Sequence, residues 1–298
     1  MQMNPLVKKD VKVQSRSMRM SWGLFAYEAI MALVFFFAMM MIKQQSYWSE
    51  ANIYSQIVML YPVLAVTQII IIGVTVPIST SSSISGEKER QTFDIMMTTS
   101  MTPFSIVWGK VMTAIIQNMF YVAAGMPVMA LAFVIGGLSP VYLLWFLLIA
   151  LLAAFFAASI GVLCSSSCKK SISATIMSYV FYLGFFILTA VPYWIAEMYM
   201  NDFAGRVFFW LLLLNPAVYL MEFFTWTMGG TSVIYDIISI TSAGIKMSEE
   251  AAHNLWMAGA GILLVLVSFL FLWTAAKRIT PIPKKKAKKL AHNSTGVQ

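Results

Sequence analysis

Six long apolar runs, at roughly 21–42, 55–78, 106–135, 141–163, 172–196 and 255–276, leave this chain few possible folds. Each is long enough to cross a hydrocarbon layer about 30 Å thick, which takes about 20 helical residues. The run at 172–196 is the most polar of the six but long enough. Lipid supplies no hydrogen-bond partners, so the backbone within each run must bond to itself, and that dictates α-helix. The composition agrees: 60% of the 298 residues are hydrophobic and 11% are charged, against about a quarter charged in a soluble domain. The first run begins near Met20 and exceeds the apolar core of a cleavable signal, so it is expected to remain as a span.

The segment 203–228, "FAGRVFFWLLLLNPAVYLMEFFTWTM", has the length of a seventh span. Asn215-Pro216 divides it, however, and Glu222 lies in the second piece, where proline and a carboxylate both oppose a continuous lipid-crossing helix. Charge decides between six and seven. With six spans and both ends cytoplasmic, 17 of the 20 Lys and Arg fall on the inner side, leaving Lys43, Arg206 and Lys246 outside. That follows the positive-inside rule. Residues 203–228 are therefore expected to form a re-entrant hairpin within an outer region spanning 197–254.

The expected organisation is all-α. Residues 1–19 form a basic amphipathic helix on the inner surface, 20–278 form the six-span domain, and 279–298 are a basic cytoplasmic tail drawn to anionic lipid. The net charge of +8 sits at the two chain ends, and no aromatic-studded basic domain accompanies it, which excludes nucleic acid as a partner. Cys164 and Cys168, in "CSSSCKK", lack the further ligands a metal or redox site requires and read as reduced thiols at a helix end. His253 and His292 lie far from each other and from both cysteines, so no nucleophile–base pair is visible. The "NST" sequon at 293–295 falls in the inner tail, where it is not a glycosylation site.

Charge returns within the span-two to span-three loop, 79–105, as "SISGEKERQTFDIMMTTSMTP" at 83–103. Ser85 or Gly86 is expected to cap a three-turn amphipathic helix with Glu87 and Glu89 in its first turn. Phe93, Met96 and Met97 would form its apolar face, and Lys88, Arg90 and Asp94 populate the rest, Arg90 and Asp94 at ion-pair spacing. Thr102 then caps a new helix with Pro103 at its first position. Such an element is either a solvated helix on the headgroups or a docking rod for a soluble partner.

The stretch "SISGEKERQTFDIMMTTSMTPFSIVWGK" resembles the corresponding segment of ABC-2 type permeases, the membrane subunits of one class of ATP-binding-cassette transporter. Glu89-Arg90, Thr92, Thr98-Thr99, Pro103 and Gly109-Lys110 carry the resemblance. Gln91 stands where many relatives have Gly, and Ser100-Met101-Thr102 lengthens the Thr-Thr-Pro spacing. The resemblance implies a six-helix subunit of a bacterial cytoplasmic membrane that pairs with an identical or paralogous second permease. It also implies that Glu87, Lys88, Glu89, Arg90, Phe93, Asp94, Met96 and Met97 form a coupling helix seated on one of two cytosolic ATPase subunits. Export or flipping of a substrate is the direction it implies.

No Gly-x-x-x-x-Gly-Lys-Ser/Thr loop is present, since Gly109-Lys110 is followed by Val111 and lacks the upstream Gly. The chain is therefore expected to be no enzyme and to bind no cofactor, with ATP and Mg²⁺ held by the partner ATPase. Glu28, Gln68, Gln117 and Asn118 lie inside spans and are candidates for a translocation path, although interhelical hydrogen bonding accounts for them equally well. In span four, Ala153, Ala157, Gly161 and Ser165 recur every four residues, a stripe suited to close helix packing. An alternative, an ATP-independent channel or secondary carrier, would use Pro62, Pro77, Pro127 and Pro192 to break helices around an ion site.

Overall fold

The computed structural model describes residues 5–48, 57–98, 101–199, 208–230, 232, 235 and 248–279. The tail beyond Ile279, with His292 and the sequon, lies outside the described residues, as do Asp202, Arg206, Asp236 and Lys246 of the outer region. The elements are α1 (Pro5–Ser15), α2 (Met18–Trp48), α3 (Leu60–Glu89), α4 (Phe93–Met97), α5 (Pro103–Gly136), α6 (Pro140–Ser167), α7 (Ser171–Tyr199), α8 (Pro216–Thr227) and α9 (Glu249–Ile279). A short helical stretch, 208–212, precedes α8. No strand occurs among the described residues. Six of these helices, α2, α3, α5, α6, α7 and α9, are long and apolar enough to cross a membrane.

The centre of the bundle is α6, the most buried of the six, with α3, α5, α7 and α9 around it and α2 at the edge against α3 and α5. Lipid tails are as apolar as leucine, so helices in a bilayer gain from close van der Waals fit and small residues. Ala150, Ala154, Ala157, Ala158 and Gly161 of α6 are all buried. At Gly161 the approach is closest: a Cβ there would lie 1.9 Å from Thr80 Oγ1 of α3. Ala153 is half-buried and borders a cleft instead. Between α2 and α5 the fit is reciprocal, the Tyr121 hydroxyl covering Gly23 and the Tyr27 hydroxyl covering Gly125.

Local chemistry sets the ends. Thr102 caps α5 as expected, its side chain accepting from Ser105 N at 3.3 Å, with Pro103 following. Gly137, at φ 66°, closes α5 by donating to Phe133 O, and Pro140 opens α6. Asn215 caps α8 by accepting from Ala217 N and donates its own amide to Phe186 O of α7, which fastens α8 to the bundle. Pro77, Pro127 and Pro192 lie within α3, α5 and α7, and each helix continues through its proline. Pro62 falls in the first turn of α3, where no helical N–H is lost.

Candidate functional site

The charged loop departs from its sequence reading at its start. Instead of capping a new helix, Ser85 and Gly86 lie inside α3, which runs unbroken to Glu89. The run "STSSSIS" stays helical because its hydroxyls fold back onto carbonyls one turn earlier. Ser79 and Thr80 donate to Val76 O, Ser81 and Ser82 to Ile78 O, Ser83 to Thr80 O, and Ser85 to Ser81 O. Hydroxyls satisfied this way no longer compete for a cap. At 1.5 Å per residue α3 is about 45 Å long, longer than a hydrocarbon layer of about 30 Å is thick.

The break comes at Gln91, the one described non-glycine residue with positive φ, at 59°. Gln91 N donates to Lys88 O and Thr92 N to Glu87 O, the two bonds of a Schellman ending. That geometry favours glycine, because a Cβ crowds the left-handed backbone. Beyond the turn the chain forms only α4, five residues long. The expected three-turn docking helix is thus replaced by the end of α3, a tight turn and one turn of helix. Arg90 precedes the turn and Asp94 follows it, so the ion pair expected from their helical spacing does not form among the described residues.

The loop residues consequently divide by direction. Thr92 Oγ1 donates to Glu87 Oε2, and Glu87 Oε1 lies 4.0 Å from Lys110 Nζ. Lys110 also pairs with Asp10 of α1 at 3.0 Å, which ties the amphipathic N-terminal helix to the start of α5. Lys88 Nζ donates to Ser166 O at 2.5 Å and Cys168 O at 3.5 Å, at the C-terminal end of α6. Glu89 Oε2 accepts from Ser171 N at 3.1 Å and Ser171 Oγ at 2.8 Å, at the N-terminal end of α7. Phe93 and Met97 are half-buried against the core formed by α3, α5, α6 and α9, with Lys88 Nζ 5.6 Å from the Phe93 ring centroid. Of Met96 only the backbone is described. Arg90, Gln91 and Asp94 remain exposed. Arg278 of α9 donates to Ser167 Oγ, so α1 and the end of α9 both come to this end of the bundle. An even number of crossings requires that.

The polar residues within the spans are not brought together at a cleft. Gln68 and Asn118 are 1% and 3% exposed, and Gln68 Oε1 and both amide atoms of Asn118 have no hydrogen-bond partner. Glu28 is half-buried with Oε1 unpartnered, and Gln117 is half-buried. None of the four lines any of three apolar clefts formed by the described residues. Those are about 930 Å³ between α3, α6, α7 and α8, about 920 Å³ between α5, α6, α8 and α9, and about 590 Å³ between α2 and α3.

A cluster at the opposite end was not legible from spacing. Glu222 of α8 is 1% exposed and accepts from Ser232 Oγ at 2.5 Å, and His253 Nδ1 lies 2.9 Å from its Oε1. Trp226 stacks on the His253 ring at 4.4 Å, and Ser232 N donates to Glu249 Oε1 at 2.6 Å. A carboxylate in an otherwise apolar segment was the only available signal, and it pointed to no partner 31 residues away. Cys164 and Cys168 are free, and no metal-binding group of acids, His and Cys occurs among the described residues.

The sequence profile of the ABC-2 type transporters matches residues 1–228, from α1 through α8. Comparison with curated proteins gives no match. A profile covering more than half of the chain, over a bundle with six helices long and apolar enough to span a membrane, shows that this multi-pass membrane protein belongs to the ABC-2 type transporter family.

Proposed function

We propose that this chain is the permease subunit of an ABC exporter in a bacterial cytoplasmic membrane. It acts there as a dimer, with an identical or paralogous partner, on two separate ATPase subunits that bind ATP and Mg²⁺. The observation that supports this reading is the exposed charged turn Arg90-Gln91, with Asp94, at the end of α3. A helix end that presents exposed charge at the surface is suited to a soluble protein, and the chain has no phosphate loop of its own. The direction, outward, follows the family.

The test is co-purification. The double charge reversal Arg90→Glu/Asp94→Lys is expected to abolish recovery of the ATPase with the tagged permease while membrane insertion and detergent monodispersity stay unchanged. Full recovery of the ATPase with that variant would show that the turn is not the docking surface.

A further inference from the structure

Lys88 and Glu89 stand in the middle of the charged loop, yet both are spent inside the chain. Lys88 supplies the cation at the carbonyl end of α6, through Ser166 O and Cys168 O. Glu89 supplies the anion at the amide end of α7, through Ser171 N and Oγ. Each charge meets the helix pole of opposite sign, so two adjacent residues of α3 grip both sides of the turn at 168–170. Two further polar ties hold α3 to α7 above them: Ser81 Oγ with Thr175 Oγ1 at 2.8 Å, and Tyr179 Oη donating to Val74 O at 2.5 Å. Ser165 Oγ accepts from the backbone of Ile84 and Ser85, both at 2.9 Å, which adds a tie from α6.

We infer that Lys88 and Glu89 are positioning residues of the transport cycle: a clamp by which the end of α3 carries the α6–α7 turn, while Arg90 and Asp94 face the partner. This rests on the permease reading. A push on the exposed turn at 90–94 is then delivered first to the inner end of α7, by bonds between residues about eighty positions apart, and not only along α3 itself.

Spin-label distance measurements on the purified permease–ATPase complex test this. In a Cys164→Ala/Cys168→Ser background, one label pair sits at Ser82→Cys, exposed on α3 away from the docking turn, and Lys277→Cys, reporting the end of α3 against α9. A second pair at Ser173→Cys and Lys277→Cys reports the inner end of α7. ATP with orthovanadate is expected to shift both distances in the parent. Glu89→Ala is expected to keep the first shift and lose the second. Loss of a helix cap alone could also loosen α7, so Lys170→Asp is added to Glu89→Ala. The Lys170 carbonyl accepts from Ala174 N, which places Lys170 at the N-cap, where Asp supplies its own acceptor. This double variant is expected to restore a sharp resting distance but not the nucleotide-dependent shift at Ser173. A full shift at Ser173 in Glu89→Ala, or its return with Lys170→Asp, would overturn the clamp. Absence of both shifts in the parent would overturn the permease reading, and the clamp with it.

Discussion

Gly161→Ala is the sharpest perturbation the bundle offers. The added Cβ would lie 1.9 Å from Thr80 Oγ1, 2.9 Å from Thr80 Cβ and 3.4 Å from Ser81 N. Rotating Thr80 away removes the first conflict but forfeits its 2.8 Å bond to Val76 O, worth about 1 kcal/mol. The second conflict then remains, about half an ångström short of ordinary contact, and only separation of α3 from α6 relieves it. Overpacking of this kind costs roughly 1–3 kcal/mol, and a chain of this size loses about 2–4 °C in Tm for each kcal/mol. Thermal unfolding in nanodiscs, followed by tryptophan fluorescence, would compare the parent, Gly161→Ala, Thr80→Ala and the double variant. Removing Oγ1 relieves the worst contact, so the double variant should be more stable than the sum of the single effects predicts, by about 1 kcal/mol. A Gly161→Ala protein as stable as the parent, or strict additivity in the cycle, would refute the close approach of these helices.

Gln91→Gly removes the Cβ from a left-handed Schellman position and should leave the fold equal or more stable by up to about 1 kcal/mol, since the relief of strain exceeds the added chain entropy; a lowered Tm would contradict the turn geometry. Glu222→Ala should destabilise by about 3–5 kcal/mol, because it strands the buried His253 and Ser232 hydroxyl, while Glu222→Gln, which keeps an acceptor, should cost clearly less; equal losses in a thermal melt would mean that a retained acceptor does not hold the cluster. Lys110→Ala should release α1, raising amide exchange across 5–15 several-fold at a cost of about 1 kcal/mol, with Lys110→Arg restoring protection; unchanged exchange would show that α1 is held by its apolar face alone.

What was legible in the sequence was local. The spans follow from length and hydropathy, and the observed helices match the runs to within a few residues at most ends. The principal exception is the inner end of α3, which continues to Glu89, well past the expected boundary at 78. Ser and Thr there read as loop and cap formers, and in water they would be; their return bonds within the helix depend on surroundings that the sequence alone does not display. The cap at Thr102 was read from a polar residue before proline, whereas Asn215, in the same position before Pro216, was read only as a break. The positive φ at Gln91 had no signal in the residues themselves, only in the glycine that the family resemblance implies at that position.

A bundle with six membrane-length helices is already dictated by the order of residues, because the need to satisfy every backbone group in lipid acts within each run and requires no knowledge of its neighbours. Where the charges between spans two and three are directed is settled at a different level, by packing. Lys88 and Glu89 turn inward because α6 ends and α7 begins beside them, and Arg90 and Asp94 turn outward because the chain reverses at Gln91. Helix poles attract charge only at short range, and which poles lie close is a property of the packed bundle.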